Sequence, residues 1–261
     1  SWVVRALGQR LAYAMTLTIF VAGAFVCAFS PNIDVLIIGR IMQGFSAGII
    51  QPLVLATMVS VFPRERRGFA VGMYGLGVTL APSFGPLVGG VTIDLLTWRH
   101  AFLMPLPLVV LAFAGGLLFM PAKKFERRLP PFDWTGFILV CLALVMVMRA
   151  IGNGHRWGWT SDLTLATAAI GILSFALFLY SQRRSKSPLL DPTLFLDPKF
   201  AAAMAIGFAF GAGNFATNYA IPVFVQTVQY FSPTQSGLVL VPAGLFLFTL
   251  IPISGRLCAM P

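Results

Sequence analysis

In 261 residues, hydrophobic side chains make up 58% and charged ones 10%, mean hydropathy is +0.87 and the formal net charge is +10. A soluble domain carries roughly 25% charged residues, so a water-soluble globule is excluded and the reading is an all-α, multi-pass integral membrane protein. The positive charge does not point to nucleic acid, because the basic residues sit in short links between apolar runs instead of along one face.

Eight apolar runs are long enough, near 20 residues each, to cross a hydrocarbon core of about 30 Å. They cover 11–29, 33–61, 68–93, 100–120, 133–151, 163–180, 200–228 and 234–253. The second, third and seventh exceed the minimum and are expected to tilt, kink or protrude. With eight spans, both ends of the chain face the same side. Fourteen of the 18 lysines and arginines fall there, from Arg5 and Arg10 at the start to Arg256 at the end. The opposite links hold only Arg99 and Arg156, while Arg40 and Arg149 lie within spans. Basic residues accumulate on the cytoplasmic side, so the ends are placed there.

Cys27, Cys141 and Cys258 sit in or beside apolar runs, with no C-x-x-C and no histidine pair. They read as small membrane-buried hydrophobes. In the second span, Arg40 lies roughly 10 Å down at about 1.5 Å per residue. A charge at that depth costs at least about 2.5 kcal/mol unless it is paired or hydrated. Gln43 shares its face, with Gly44 and Gly48 alongside. Two readings stand. Arg40 snorkels to phosphates, or it faces a cavity where it tunes a carboxylate or binds an anion. No acid lies at its depth; Asp34 is nearer the surface.

The third span mixes glycine and proline into an apolar run. Gly77, Ala81, Gly85 and Gly89 recur every fourth residue and fall on one helical stripe, with Gly90 beside them. Such a stripe admits another helix backbone to backbone, and Pro82 and Pro86 can each kink the helix. A tight-packing helix and a kinked gating helix are both open.

The outer link is placed at 152–162, with Trp157 and Trp159 at the interface, where indoles settle. Arg149, near the outer end of the fifth span, is read as snorkelling. The cytoplasmic link 183–199 holds Pro188, Pro192 and Pro198 and reads as a connector. In the seventh span Asn214 and Asn218 lie one turn apart, with Gly207 and Gly211 before them and Pro222 and Gln226 continuing the series. This stripe lines a water path or is interhelical glue, each bond worth about 0.6 kcal/mol. There is no P-loop lysine motif. His100 and His155 stand alone, so neither a metal site nor a cofactor is predicted. No Ser, His and carboxylate set converges at one depth, which argues against an enzyme.

Taken together, several motifs resemble one family. Arg40-Ile-Met-Gln43-Gly44 with Ala47-Gly48 is similar to the fourth-helix motif of the major facilitator superfamily. The run from Ala81 to Gly90 resembles the antiporter motif GxxxGPxxGG of its fifth helix, with Ala81 for the first glycine. Trp98-Arg99-His-Ala-Phe102 is similar to the WRxxF signature of the next helix. Phe132-Asp133-Trp134-Thr-Gly136 resembles the start of the extra helices. Ser232-Pro233, Gly237-Leu238 and Pro242 resemble the second-half pattern. The series resembles the fourteen-helix drug:proton antiporters over nearly the whole chain.

That resemblance implies an internal piece of a major facilitator fold, its spans standing for family helices three to ten. Residues 1–131 would be most of the N-terminal bundle, 132–182 an inserted helix pair and 183–261 the start of the C-terminal bundle. It also implies proton-coupled export of lipophilic or amphipathic compounds by alternating access in a plasma or bacterial inner membrane. Arg40 and Gln43 would tune protonation, the Gly77–Gly90 stretch would act as hinge and seal, and Asn214, Asn218 and Gln226 would line the substrate cavity. The expected partners are bilayer, small-molecule substrate and protons, with an envelope-spanning partner left open. One departure concerns the cytoplasmic motif D-R-x-G-R. It reads Arg5-Ala-Leu-Gly8-Gln-Arg10 here, with a base in place of the acid, and the segment around Arg256 also lacks the acid. A metabolite facilitator or symporter, and a membrane sensor or scaffold, are the rival readings.

Overall fold

Inside a bilayer, backbone N–H and C=O groups must pair within the chain, so isolated apolar runs become helices. The computed structural model of the chain describes residues 2–120, 131–185 and 187–257, apart from the side chains of residues 5, 65, 79, 192 and 251–257. Among them the regular elements are all helical. They are α1 (Trp2–Leu7), α2 (Gln9–Ala28), α3 (Ile33–Val61), α4 (Arg67–Leu95), α5 (His100–Leu103), α6 (Leu106–Phe119), α7 (Trp134–Trp157), α8 (Asp162–Arg184), α9 (Pro198–Thr227) and α10 (Pro233–Leu257). Short 3-10 turns cover Arg64–Arg66 and Pro192–Leu196. Eight stretches are long and apolar enough to span, α5 and α6 together forming the fourth. This is the expected all-α membrane class.

The helix boundaries have local causes. Gly8 separates α1 from α2 at φ 77°, a conformation that glycine adopts without a Cβ penalty. Asn32 caps α3 by accepting from Val35 N at 3.0 Å. α4 runs without a break through Pro82 and Pro86, and α3 through Pro52. The fifth span differs from the sequence reading. α7 continues past Gly152 to Trp157 and the turn begins at Gly158, whose φ is 91°. The smallness of Gly154 explains this: a Cβ there would meet the Trp159 ring at 2.6 Å, so the indole folds back over the last turn.

The chain forms two compact units, one of 1–129 with 212–261 and the other of 130–211. In the first, α2 packs on both α3 and α6. Ala12, Tyr13, Leu17 and Leu53 form its buried cluster. Tyr13 donates to the Ala112 carbonyl of α6 at 2.8 Å, and its ring lies where a side chain on Gly116 would stand. Ser46 of α3 donates to the Thr16 carbonyl of α2 at 2.6 Å, both buried. The most extensively packed pair in this unit is α4 with α10.

The second unit is built on the α7–α8 hairpin. Gly171 permits the approach: a Cβ there would stand 2.8 Å from the Val147 side chain and 3.0 Å from its backbone nitrogen. The link after α8 is more than a connector. Gln182, 2% exposed, donates to Asp133 Oδ2 at 2.8 Å and accepts from Leu189 N at 2.7 Å and Leu190 N at 3.1 Å. Asp133 meanwhile caps α7 through Gly136 N at 2.9 Å. One buried amide therefore ties the start of α7, the end of α8 and the link. The Arg149 guanidinium reaches the Trp157 ring at 5.4 Å.

Candidate functional site

Polar side chains gather at three places among the apolar helices of the first unit. The first is the corner of α2, α3 and α5. Here α2 and α3 cross with Gly23 against Gly39; a Cβ on Gly39 would lie 2.5 Å from Cys27 Sγ and 2.9 Å from the Gly23 carbonyl oxygen. Small residues at such a crossing let two backbones touch. The crossing brings Gln43, one turn beyond Gly39, up to α2. Cys27 Sγ stands 3.8 Å from Gln43 Oε1, and the same oxygen accepts from Arg40 Nη1 at 3.4 Å. On its other side the Arg40 guanidinium lies 5.5 Å from the centroid of the Phe102 ring. Such a cation–π contact is worth about 0.5–1 kcal/mol at an exposed site and about 2 when desolvated. Arg40 is exposed in this unit and Gln43 half-buried.

Phe102 is held there by the residues before it. Arg99 Nη2 donates to the Ser30 carbonyl, just past the end of α2, at 3.2 Å. A cation suits the carbonyl-rich end of a helix. Arg99 also lies 4.4 Å from the Trp98 ring, which meets Phe102 edge-on at 6.1 Å. The WRxxF residues therefore tie the α4–α5 turn to the α2–α3 turn, and in doing so place a ring opposite Arg40. Reading the residues alone missed Cys27 and Phe102. Spacing offered a signal: Gly23 and Cys27 on α2, and Gly39 and Gln43 on α3, are both i, i+4 pairs.

The second place is the α4–α10 seam. Beyond Gly90, a side chain would fall onto the Pro233 carbonyl; beyond Gly237, onto the backbone of Leu87; beyond Gly244, 2.7 Å from the Ser83 Cβ. The packed face of α4 thus runs through Ser83, Leu87 and Gly90. Gly77, Gly85 and Gly89 lie to one side of it, where an added Cβ would meet nothing within 4 Å, and Ala81 is exposed. Pro82 and Pro86 are half-buried. Of the glycines named in this motif, Gly90, beside the stripe, alone stands at the close approach.

Asp94 closes this seam. Its Oδ2 accepts from Thr234 N at 2.9 Å and from Thr234 Oγ1 at 2.5 Å. The α10 terminus is otherwise self-capped. Ser232 N donates to Gln235 Oε1 at 2.9 Å, and Gln235 N to Ser232 Oγ at 3.2 Å, the reciprocal pattern of a capping box. Sequence reasoning passed over Asp94. An acid at a span end, in a chain with only 8 Asp and Glu, was the available signal.

The third place is the face of α9. Asn218 Nδ2 donates to the Asn214 carbonyl at 2.9 Å and to Asn214 Oδ1 at 2.6 Å. Both amides are half-buried and bonded to each other within one helix. Gln226 Nε2 instead donates to Ser236 Oγ of α10 at 3.0 Å, and Ser236 donates onward to the Pro222 carbonyl at 3.4 Å. Of the cytoplasmic motif, Gly8 is buried at the α1–α2 junction and Arg10 is exposed; the Arg5 side chain lies outside the described residues, as does Cys258. Among the described residues, no three His, Cys, Asp or Glu side chains come together as a metal would require.

The family model described as Major Facilitator Superfamily matches residues 1–260. The chain is 30% identical over 259 residues to the uncharacterized MFS-type transporter YhcA of Bacillus subtilis, covering 98% of this chain and 48% of that protein. It is 30% identical over 237 residues to the lincomycin resistance protein LmrB of Listeria monocytogenes, covering 91% and 50%. It is 28% identical over 243 residues to the putative multidrug resistance protein MdtD of Escherichia coli, covering 93% and 51%. The chain spans about half the length of the curated relatives it matches. A match along almost every residue, on eight helices apolar enough to span a membrane, makes the chain a member of the Major Facilitator Superfamily, a family of membrane transporters.

Proposed function

We propose that the protein exports lipophilic or amphipathic small molecules in exchange for protons, by alternating access across a bacterial cell membrane. The observation that carries this reading is the Arg40 corner: a guanidinium on a spanning helix, engaged by the Gln43 amide and the Phe102 ring. A permanent positive charge held within a span favours the ionised form of a nearby carboxylate. Intramembrane charges commonly mark substrate or proton paths. Relatives named for lincomycin resistance and, putatively, for multidrug resistance support the substrate class. In this reading 1–131 and 183–261 contribute to two bundles, and 132–182 is the helix pair inserted between them. Asn214 and Asn218 face the cavity.

The test reconstitutes the intact protein beside Arg40→Ala, imposes an inward proton gradient and follows efflux of a fluorescent lipophilic cation together with lumenal pH. Coupled efflux and proton movement, both lost in the variant, support antiport. Dye movement without protons favours a facilitator. Movement of neither, across a panel of amphipathic compounds, removes the export reading.

A further inference from the structure

We infer that Asp94 and Thr234 form a latch that fastens α4 to α10 on the non-cytoplasmic side and must break for that side to open. This rests on the alternating-access reading above.

The bonding of the α10 terminus leads to it. A helix leaves its first N–H groups without intrahelical partners. In α10 the first residue is Pro233, which has no N–H. Gln235 N is taken by Ser232 Oγ, and Ser236 N by the Ser232 carbonyl at 2.9 Å. Thr234 N is left, and its acceptor comes from the other helix: Asp94 Oδ2, which also takes the Thr234 hydroxyl. The carboxylate sits where the helix dipole favours negative charge. The Ser232–Gln235 bonds of the capping box lie within α10 and its first turn, whereas the carboxylate of Asp94, which the Ser232 side chain also bonds, comes from the other helix, so the Asp94 bonds join the helices.

What lies along the seam makes the junction two-state. Gly90 meets the Pro233 backbone and Gly237 the Leu87 backbone. Backbone contacts cannot yield by rotating a side chain, so the seam parts by moving one helix off the other. Asp94 is exposed and Thr234 half-buried. Once separated, both groups can return to water, so release is reversible and does not strand a buried charge. A latch needs that balance.

The test uses the intact protein in proteoliposomes with Cys27, Cys141 and Cys258 replaced by alanine and a single reporter, Leu240→Cys. Leu240 is 5% exposed and shares a helical face with Gly237 and Gly244. An impermeant maleimide is applied from the non-cytoplasmic side. Slow labelling is expected with the pair intact. Labelling should be roughly tenfold faster in Asp94→Ala, the factor to which about 1.4 kcal/mol corresponds, and severalfold faster in Thr234→Val. The double variant should be no faster than Asp94→Ala, since both remove one junction. Unchanged rates in the single variants overturn the latch, and so do additive rates in the double. If Asp94→Ala fails to reach the membrane, Thr234→Val decides by the same criterion. The readout needs no substrate: a responsive labelling rate in a protein that exports nothing keeps the latch and removes the export reading.

Discussion

The guanidinium of Arg40, on α3, stands 5.5 Å from the centre of the Phe102 ring, on α5. Its Nη1 points to Gln43, so the charge is held between an amide and a π-face. The two contacts differ in what they need. The ring needs a cation near its face; the amide bond adds direction. Arg40→Lys keeps the charge without the planar fork and is expected to retain part of the transport rate that Arg40→Ala loses. Phe102→Leu removes the ring while keeping bulk. It should lower the rate by no more than about fivefold, given about 0.5–1 kcal/mol for an exposed cation–π contact. Initial efflux rates of the three variants in the same vesicles check this ordering; a Phe102→Leu protein as inactive as Arg40→Ala contradicts it.

The crossing of α2 and α3 makes a stability prediction with its own control. Gly39→Ala places a methyl 2.5 Å from Cys27 Sγ and 2.9 Å from the Gly23 carbonyl. Overpacking of that kind costs about 1–3 kcal/mol. Gly44→Ala, on the same helix with nothing within 4 Å, should leave stability unchanged. Thermal unfolding in detergent is the measurement, and equal midpoints for the two variants would show that the crossing is looser than described.

Much of this was legible beforehand, because hydropathy and positive charge are local properties of the chain. The eight spans and the family motifs could be read from runs and spacings alone. The α3 boundaries at Ile33 and Val61 coincide with the apolar run. The site was harder to read because it depends on which face of a helix meets a neighbour. The four-residue spacing of Gly77, Ala81, Gly85 and Gly89 is real, yet the face that meets α10 passes through Ser83, Leu87 and Gly90. Spacing identifies a face without saying what packs against it. Asp94 and Thr234 are 140 residues apart, and Gln182 meets Asp133 across 49; no local pattern announces such pairs. Gly152 and Gly154 looked like the end of a helix and instead lie inside α7, because the Trp159 ring covers the space that Gly154 leaves.

The buried Gln182 predicts a local failure. Gln182→Leu keeps much of the bulk but leaves the Leu189 and Leu190 N–H groups without their acceptor and Asp133 without one donor. An unsatisfied buried polar group costs about 1–3 kcal/mol. The link at 187–197 should become open to limited proteolysis while α7 and α8 remain helical. A cleavage pattern identical to that of the parent would mean that other contacts hold the link.

Within that link Asp191 accepts from the Thr193 hydroxyl at 2.7 Å and from Thr193 N at 3.0 Å. These bonds, the hydroxyl first, hold its carboxyl below the ordinary aspartate value. A lowered folded value means that the ionised form stabilises the turn above the unfolded value, and that this contribution is lost as pH falls through the folded one. Protection of the Thr193 amide, its exchange taken against the intrinsic rate at each pH, should therefore fall on acidification below about pH 4, the ordinary range of an aspartate. In Asp191→Asn that acid response should disappear. Persistence of the response in the variant assigns it to another group.

The two neighbouring glycines of α4 separate packing from motif. Gly89→Ala adds a methyl where nothing stands within 4 Å, whereas Gly90→Ala drives one onto the Pro233 carbonyl and towards Thr234 N. The obstacle is backbone at the start of α10, and that start is fixed by Pro233 and by the capping box of Ser232 and Gln235. The helices must therefore move apart, which also lengthens the Asp94 bonds. Gly90→Ala should lower the thermal midpoint by an amount matching about 1–3 kcal/mol and speed maleimide labelling of the Leu240→Cys reporter, with Gly89→Ala close to the parent in both. Should Gly89→Ala instead abolish transport at unchanged stability, the open stripe acts in the transport cycle itself, through a neighbour that it meets in another conformation.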